Sequence, residues 1–306
     1  GKAMLKTGLI YYNGGQNDLA IATFKKVVDR FPATPESKEA LVSIRNIYVE
    51  LNRVDEFFTY VQDLSFANIT RAEQDSITFV AAENQYLQGT CEEAVPAFKN
   101  YLEKYPDGAY TSHANYYIGE CHLRSDRNSD ALDVFEKVIA GPRSKYTENA
   151  LLKSARIAFR QGEYKDAFGY FYELEQLAEK ASNLEEARYG QMKCNYLLKK
   201  YEVAASSASE LLKAPKISDD RKIDALMIRA KSYIALNEPG QASEDFRGII
   251  DTKYGPYAAE AKYNLAGISY IQGDLAEAEK QVFELINQYA AFDYWVASGF
   301  ILLADI

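Results

Sequence analysis

The sequence predicts an all-α chain, an α-α superhelix of about eight stacked helical hairpins followed by one further helix. Three observations carry this prediction. A small residue followed four positions later by a bulky one recurs about every 37 residues, a second apolar stripe precedes it at a fixed distance, and a residue that tolerates left-handed backbone lies between the two. Self-similarity at such a period marks an array of supersecondary units, each hiding its apolar side against the next.

The recurring pairs are Ala20/Phe24, Phe57/Val61, Ala94/Phe98, Ala131/Phe135, Ala167/Phe171, Ala204/Ala208, Ala242/Phe246 and Ala278/Val282, with starts 36 to 38 residues apart. Three residues after each pair stands another apolar group: Val27, Leu64, Tyr101, Val138, Leu174, Leu211, Ile249 and Leu285. Apolar groups at this spacing form one stripe of an amphipathic helix, here called helix B. Twelve residues earlier comes a second small position: Gly8, Ala82, Gly119, Ala155, Ala230 and Ala266, with Arg45 and Met192 as departures. Large residues flank it, as in Leu5/Tyr12, Phe79/Tyr86 and Tyr263/Tyr270, and define helix A. A residue without bulk where A crosses B lets the two backbones approach.

Between A and B fall Gly15, Asn52, Gly89, Asp126, Gly162, Lys199, Asn237 and Gly273. All but the lysine tolerate the left-handed geometry that ends a helix, so a short turn and an antiparallel hairpin follow. The links from B to the next A carry stop and start signals: Phe31-Pro32-Ala33-Thr34-Pro35-Glu36, Tyr105-Pro106-Asp107-Gly108 and Tyr254-Gly255-Pro256. Thr34 suits an N-cap, Pro35 the first helical position and Glu36 the first turn. The repeats therefore run at about 1–37, 38–74, 75–111, 112–147, 148–184, 185–222, 223–258 and 259–292, with a partial repeat at 293–306. Looser packing is expected in the second, where Arg45 and Phe57 replace small residues and the link at 65–75 lacks a proline. The final helix would present Trp295, Phe300 and Leu303 to a missing partner, which predicts a fragment of a longer chain and self-association through that helix.

The small residue in A, the Ala opening B, the Phe four later and the terminal Pro resemble the tetratricopeptide repeat, most closely from Gly8 to Pro32. The lengthened unit and the string Phe98-Lys99-Asn100-Tyr101-Leu102-Glu103-Lys104-Tyr105-Pro106 resemble the repeats of bacterial envelope and outer-membrane proteins. That resemblance implies a single solenoid over residues 1–306, a protein-binding role and a periplasmic or outer-membrane-associated setting.

Composition narrows the function. The chain has 306 residues, 47% hydrophobic and 26% charged, with a net charge of −9, and the charge is spread evenly along it. Nucleic acid needs clustered Lys and Arg, so it is not an expected partner. No apolar run is long enough to span a membrane. The three cysteines, Cys91, Cys121 and Cys194, have neither metal-ligand spacing nor the even count of a disulfide framework. They are expected as small core or half-buried residues, which leaves the redox compartment open.

The resemblance places the binding groove on helix A, about three residues before and one, four and five after the small site. Two features occupy those positions. The first is an aromatic series: Tyr12, Phe79, Tyr86, Tyr116, Phe159, Tyr189, Tyr196, Tyr263 and Tyr270. These rings either offer contact area to a bound peptide or pack helix A against the preceding hairpin. The second is a change of sign, from Glu50, Glu83 and Glu120 to Arg124, Arg156, Arg160, Lys193 and Lys231. The basic part either selects an acidic segment or is an ordinary solvated face.

No catalytic, metal or cofactor site is expected. His113 and His122 lie nine apart in one helix, and adjacent Cys121 and His122 point in different directions. The leading expectation is a non-enzymatic scaffold that holds a protein segment in its groove. The alternatives are a glycan- or small-ligand-binding protein using the tyrosine-rich groove, and the sensing part of a larger regulator.

Overall fold

The computed structural model describes residues 1–89, 91–214, 217–252 and 255–306. The start signal assigned to Tyr254 lies outside these residues. Among the described residues there are 17 α-helices and no strand. They form eight hairpins and one more helix, as the periodicity predicts.

The chain divides into two compact units, Gly1–Ala150 and Leu151–Ile306. The first unit holds the hairpins α1 (Lys2–Asn13) with α2 (Asn17–Arg30), α3 (Pro35–Glu50) with α4 (Val54–Gln62), α5 (Arg71–Leu87) with α6 (Cys91–Lys104), and α7 (Thr111–Arg124) with α8 (Asn128–Ala140). The boundary falls in the first turn of α9 (Thr147–Gln161), which precedes α10 (Tyr164–Leu177). The second unit continues with α11 (Ala181–Leu197) and α12 (Tyr201–Leu212), α13 (Asp219–Ala235) and α14 (Pro239–Asp251), and α15 (Gly255–Ile271) and α16 (Leu275–Gln288). It closes on α17 (Asp293–Asp305).

The small-to-large rule sets the hairpin crossings. A Cβ placed on Gly8 would lie 2.5 Å from the ring of Phe24, and one on Gly119 would lie 2.5 Å from that of Phe135. Both rings are fully buried, so the two glycines are required by close approach. In the sixth repeat Met192 stands at the small position, completely buried against Ala204 and Ala208 of α12, while Gly190 admits Phe171 of α10 from the preceding hairpin, where an added Cβ would lie 2.4 Å from the ring.

All eight turn residues have left-handed backbone, including Lys199 at φ 60°. A lysine accepts that conformation because the hairpin imposes it, at a cost of roughly 1 kcal/mol. Ala33, also at φ 60°, is a further such residue that its type did not announce. Thr34 caps α3 by accepting from the Ser37 amide at 3.3 Å, with Pro35 in the first turn. Thr70 starts α5 with a reciprocal capping box to Glu73, which offsets the missing proline of that link.

The cysteine expectation requires correction. Cys194 is indeed a buried residue, and burial pushes its thiol up to about 12. Cys91 and Cys121, however, form a disulfide, with Cα atoms 5.4 Å apart. Cys91 opens α6 and Cys121 lies near the end of α7, and antiparallel packing brings those two ends together. A sequence separation of 30 residues conceals this adjacency.

Candidate protein-binding surface

The A helices α1, α3, α5 and α7 of the first unit and α9, α11, α13 and α15 of the second carry the candidate residues. In the first unit the aromatic series turns largely inward. Phe79 is 3% exposed and stacks on Tyr110 with centroids 4.5 Å apart, and Tyr116 is 8% exposed and stacks on Tyr146 at 4.5 Å. These two rings are thus buried in helix packing, against the links that follow their hairpins rather than against the preceding hairpin. Tyr86 is half-buried and stacks on Tyr117 at 4.4 Å, while the hydroxyls of Tyr117 and Tyr146 share a 2.9 Å hydrogen bond. His113 meets Phe79 and Tyr146 edge-on.

Charged groups close the rest of that face. Arg124 donates to the Tyr86 hydroxyl at 2.8 Å and lies 4.7 Å over its ring. The Tyr12 hydroxyl donates to Glu50 at 2.5 Å, a bond that holds the phenol in its protonated form and raises its pKa. Tyr117 donates to Glu83 at 3.1 Å. Each contact joins one A helix to the next.

The second unit builds its A-helix face from ion pairs. Arg156 on α9 donates twice to Glu186 on α11, at 3.1 and 2.9 Å. Arg221 on α13 bonds both Glu185, at 2.7 Å, and Glu186. Lys231 pairs with Glu260 at 2.5 Å, and the Tyr189 hydroxyl donates to Asp224. Glu186, Asp224 and Glu260 all stand six residues before the small site of their repeats. That recurrence was visible in the sequence, but the position lies outside the four assigned to the groove.

Of the cations marked for the groove in this unit, Arg160 and Lys193 form no ion pair among the described residues. Arg160 donates to the main-chain carbonyl of Arg156 at 3.3 Å. Lys193 lies 5.4 Å over the Phe159 ring and 5.2 Å over that of Tyr189, and donates to the Tyr189 hydroxyl at 3.5 Å. Together with Arg156, Glu186, Phe171 and Gly190 they line a cleft of about 430 Å³. The floor is aromatic and apolar, the rim carries three cations against one carboxylate, and the size suits a side chain or small ligand. The structure thus brings together Arg156, Phe159, Arg160, Tyr189 and Lys193.

Tyr196, Tyr263 and Tyr270 lie apart from this cleft. Each is half-buried, with Tyr196 against the Met192 cluster and the other two against Ala266, Val282 and Leu302. Tyr263 also meets Trp295 of α17, with centroids 5.5 Å apart. Of the apolar residues expected on α17, Phe300 is 54% exposed, Trp295 is half-buried and Leu303 packs inward. Among the described residues no cluster of His, Cys, Asp and Glu could hold a metal, and no helix is long and apolar enough to cross a membrane.

The tetratricopeptide repeat family matches over residues 2–34, 79–145 and 229–291, together just over half of the sequence. The chain belongs to the tetratricopeptide repeat family, whose fold class its hairpins share. No curated protein matches it. Among solved structures, the C-terminal part of a TPR repeat-containing protein from Cytophaga hutchinsonii is similar at 14% identity, covering 96% of this chain and 98% of that one, with a TM-score of 0.54. YrrB, described as a TPR protein with an unusual peptide-binding site, is 20% identical over 61% of this chain and 90% of its own, with a TM-score of 0.48. MamA from Desulfovibrio magneticus is 14% identical over 60% of this chain and 96% of its own, with a TM-score of 0.42.

Proposed function

We propose that this chain is a non-enzymatic scaffold that binds an acidic protein segment on the A-helix face of its second unit. The observation that carries this reading is the cleft at Phe159 and Tyr189, where Lys193 stands over both rings, Arg160 lines the same cleft, and neither has a carboxylate partner among the described residues. Cations held over a low-dielectric aromatic floor attract a carboxylate more strongly than cations in open water. The neighbouring aromatic surface gives an apolar side chain of the same segment a place to bury. Arg156 serves differently: its bond to Glu186 fixes the wall of the cleft.

A setting in the bacterial cell envelope is part of the proposal. The Cys91–Cys121 disulfide supports it, because such bonds persist in oxidising compartments.

Fluorescence anisotropy with labelled octapeptides of acidic, neutral and basic composition tests the binding. The acidic peptides containing an aromatic residue are expected to bind best and to weaken with added salt, as screened charges do. The double variant Arg160→Glu/Lys193→Glu is expected to lose at least about tenfold in affinity. Equal affinity in wild type and variant would remove the cleft from the account.

A further inference from the structure

Repeat 2 departs from the plan of the others, and its departure leaves a cavity. At the position where Gly8 and Gly119 admit a phenyl ring stands Arg45, a side chain too large and too polar to enter a hairpin crossing. Helix α4 is correspondingly short, with nine residues against 14 in α2 and in α6. The chain at 63–70 passes where a longer helix would continue, and it turns Phe66, Ala67 and Ile69 toward the core of the first unit. What remains is a cavity of about 480 Å³ between α3, α4 and α5.

The walls specify a ligand. Lys38, Leu41, Val42 and Arg45 follow one another at helical spacing along one stripe of α3, so two apolar residues lie between two cations. Phe57 and Ile77 extend the apolar lining from α4 and α5. Glu73 is the acidic residue at the rim, and its carboxylate is engaged by the Thr70 amide and hydroxyl, both at 2.8 Å. Neither Lys38 nor Arg45 forms an ion pair among the described residues, although the Thr70 bonds and, after them, the nearby Arg45 charge lower the pKa of the Glu73 carboxyl. One positive charge is left in excess, and an occupant carrying a carboxylate complements it. Val42 is 47% exposed, which places apolar surface at the mouth of the cavity.

We propose that this cavity is a second binding site, which takes a bulky apolar side chain adjoining a carboxylate on a partner segment. The proposal rests on the protein-binding reading above and adds an anchor point in the other unit. The occupant fills the space that the shortened α4 leaves, and Lys38 and Arg45 meet its charge.

The test is an NMR titration of the full chain with N-acetyltryptophan, which joins an indole to a free carboxylate. Millimolar probe is expected to shift the resonances of Val42, Ala67 and Ile77. N-acetyltryptophanamide, which lacks the charge, is expected to bind several-fold more weakly, and N-acetylglycine, which lacks the ring, to leave the spectrum unchanged. Val42→Glu is expected to weaken N-acetyltryptophan about tenfold. The exposed change Lys38→Glu is expected to weaken N-acetyltryptophan while leaving its amide unaffected. Arg160→Glu/Lys193→Glu is expected to leave these shifts intact, so the cavity stands or falls independently of the cleft in the second unit. Absence of shifts in α3 and α5, or shifts insensitive to both Val42→Glu and Lys38→Glu, would overturn the proposal.

Discussion

The two units treat the same face of helix A in different ways. Six residues before the small site the second unit repeats a carboxylate, Glu186, Asp224 and Glu260, whereas the first has Ser76 and His113 in its third and fourth repeats. In the second unit those carboxylates hold Arg156, Tyr189 and Lys231 of the preceding A helices, and Arg160 and Lys193 are left without an ion pair among the described residues. In the first unit the face is closed by stacked rings, and Arg124 caps one of them. A given A-helix position in this architecture is thus tied into the structure or left unpaired according to what the next A helix supplies. Residue type at that position alone does not decide it.

Breaking the fastenings particular to each unit sharpens the contrast. The largest effect is expected from the disulfide of the first unit: replacing Cys91 and Cys121 by serine releases a loop closed across 30 residues. Loop entropy sets the loss at about 3 to 4 kcal/mol, read as a lower midpoint in thermal unfolding by circular dichroism. An unchanged midpoint would show that helix packing alone fixes α6 on α7.

A slightly smaller effect is expected in the second unit from Asp245→Ala. Asp245 is 6% exposed and accepts from Arg229 at 2.8 and 2.5 Å, so its removal strands a half-buried guanidinium. The cost is about 3 kcal/mol. The single tryptophan, Trp295, lies in the same unit and reports the change in a urea titration.

The smallest effect concerns pH. Burial is the main cause that lowers the pKa of both His113 and His122, with Lys145 and Arg127 adding to it. The unfolded chain takes up protons near pH 6.5 that the folded one refuses, so this contribution is present above that value and is lost as pH falls. The urea midpoint is expected to drop between about pH 7.5 and 5.5, and His122→Gln to flatten the slope.

Most of the fold was legible because its determinants are local and repeated. The alternation of Gly8 with Phe24, and of Gly119 with Phe135, writes a steric contact directly into spacing. The turn positions were legible for the same reason, and even Lys199 conforms because the hairpin overrides its residue type. Contacts made between repeats were harder to read. Cys91 meets Cys121 across the antiparallel α6 and α7, and Phe79 on α5 meets Tyr110 at the start of α7, contacts that sequence separation does not display. The candidate site was half legible. Its cations and rings were marked by register, but their separation into paired Arg156 and unpaired Arg160 depends on Glu186 from another helix.

The most direct test of the account is the affinity of the full chain for an acidic, aromatic-containing octapeptide, compared between Arg160→Glu/Lys193→Glu and Arg124→Glu. The account predicts a loss of about tenfold or more in the first and little change in the second, because Arg124 is engaged with Tyr86. An equal loss in both, or a loss only in Arg124→Glu, would contradict it.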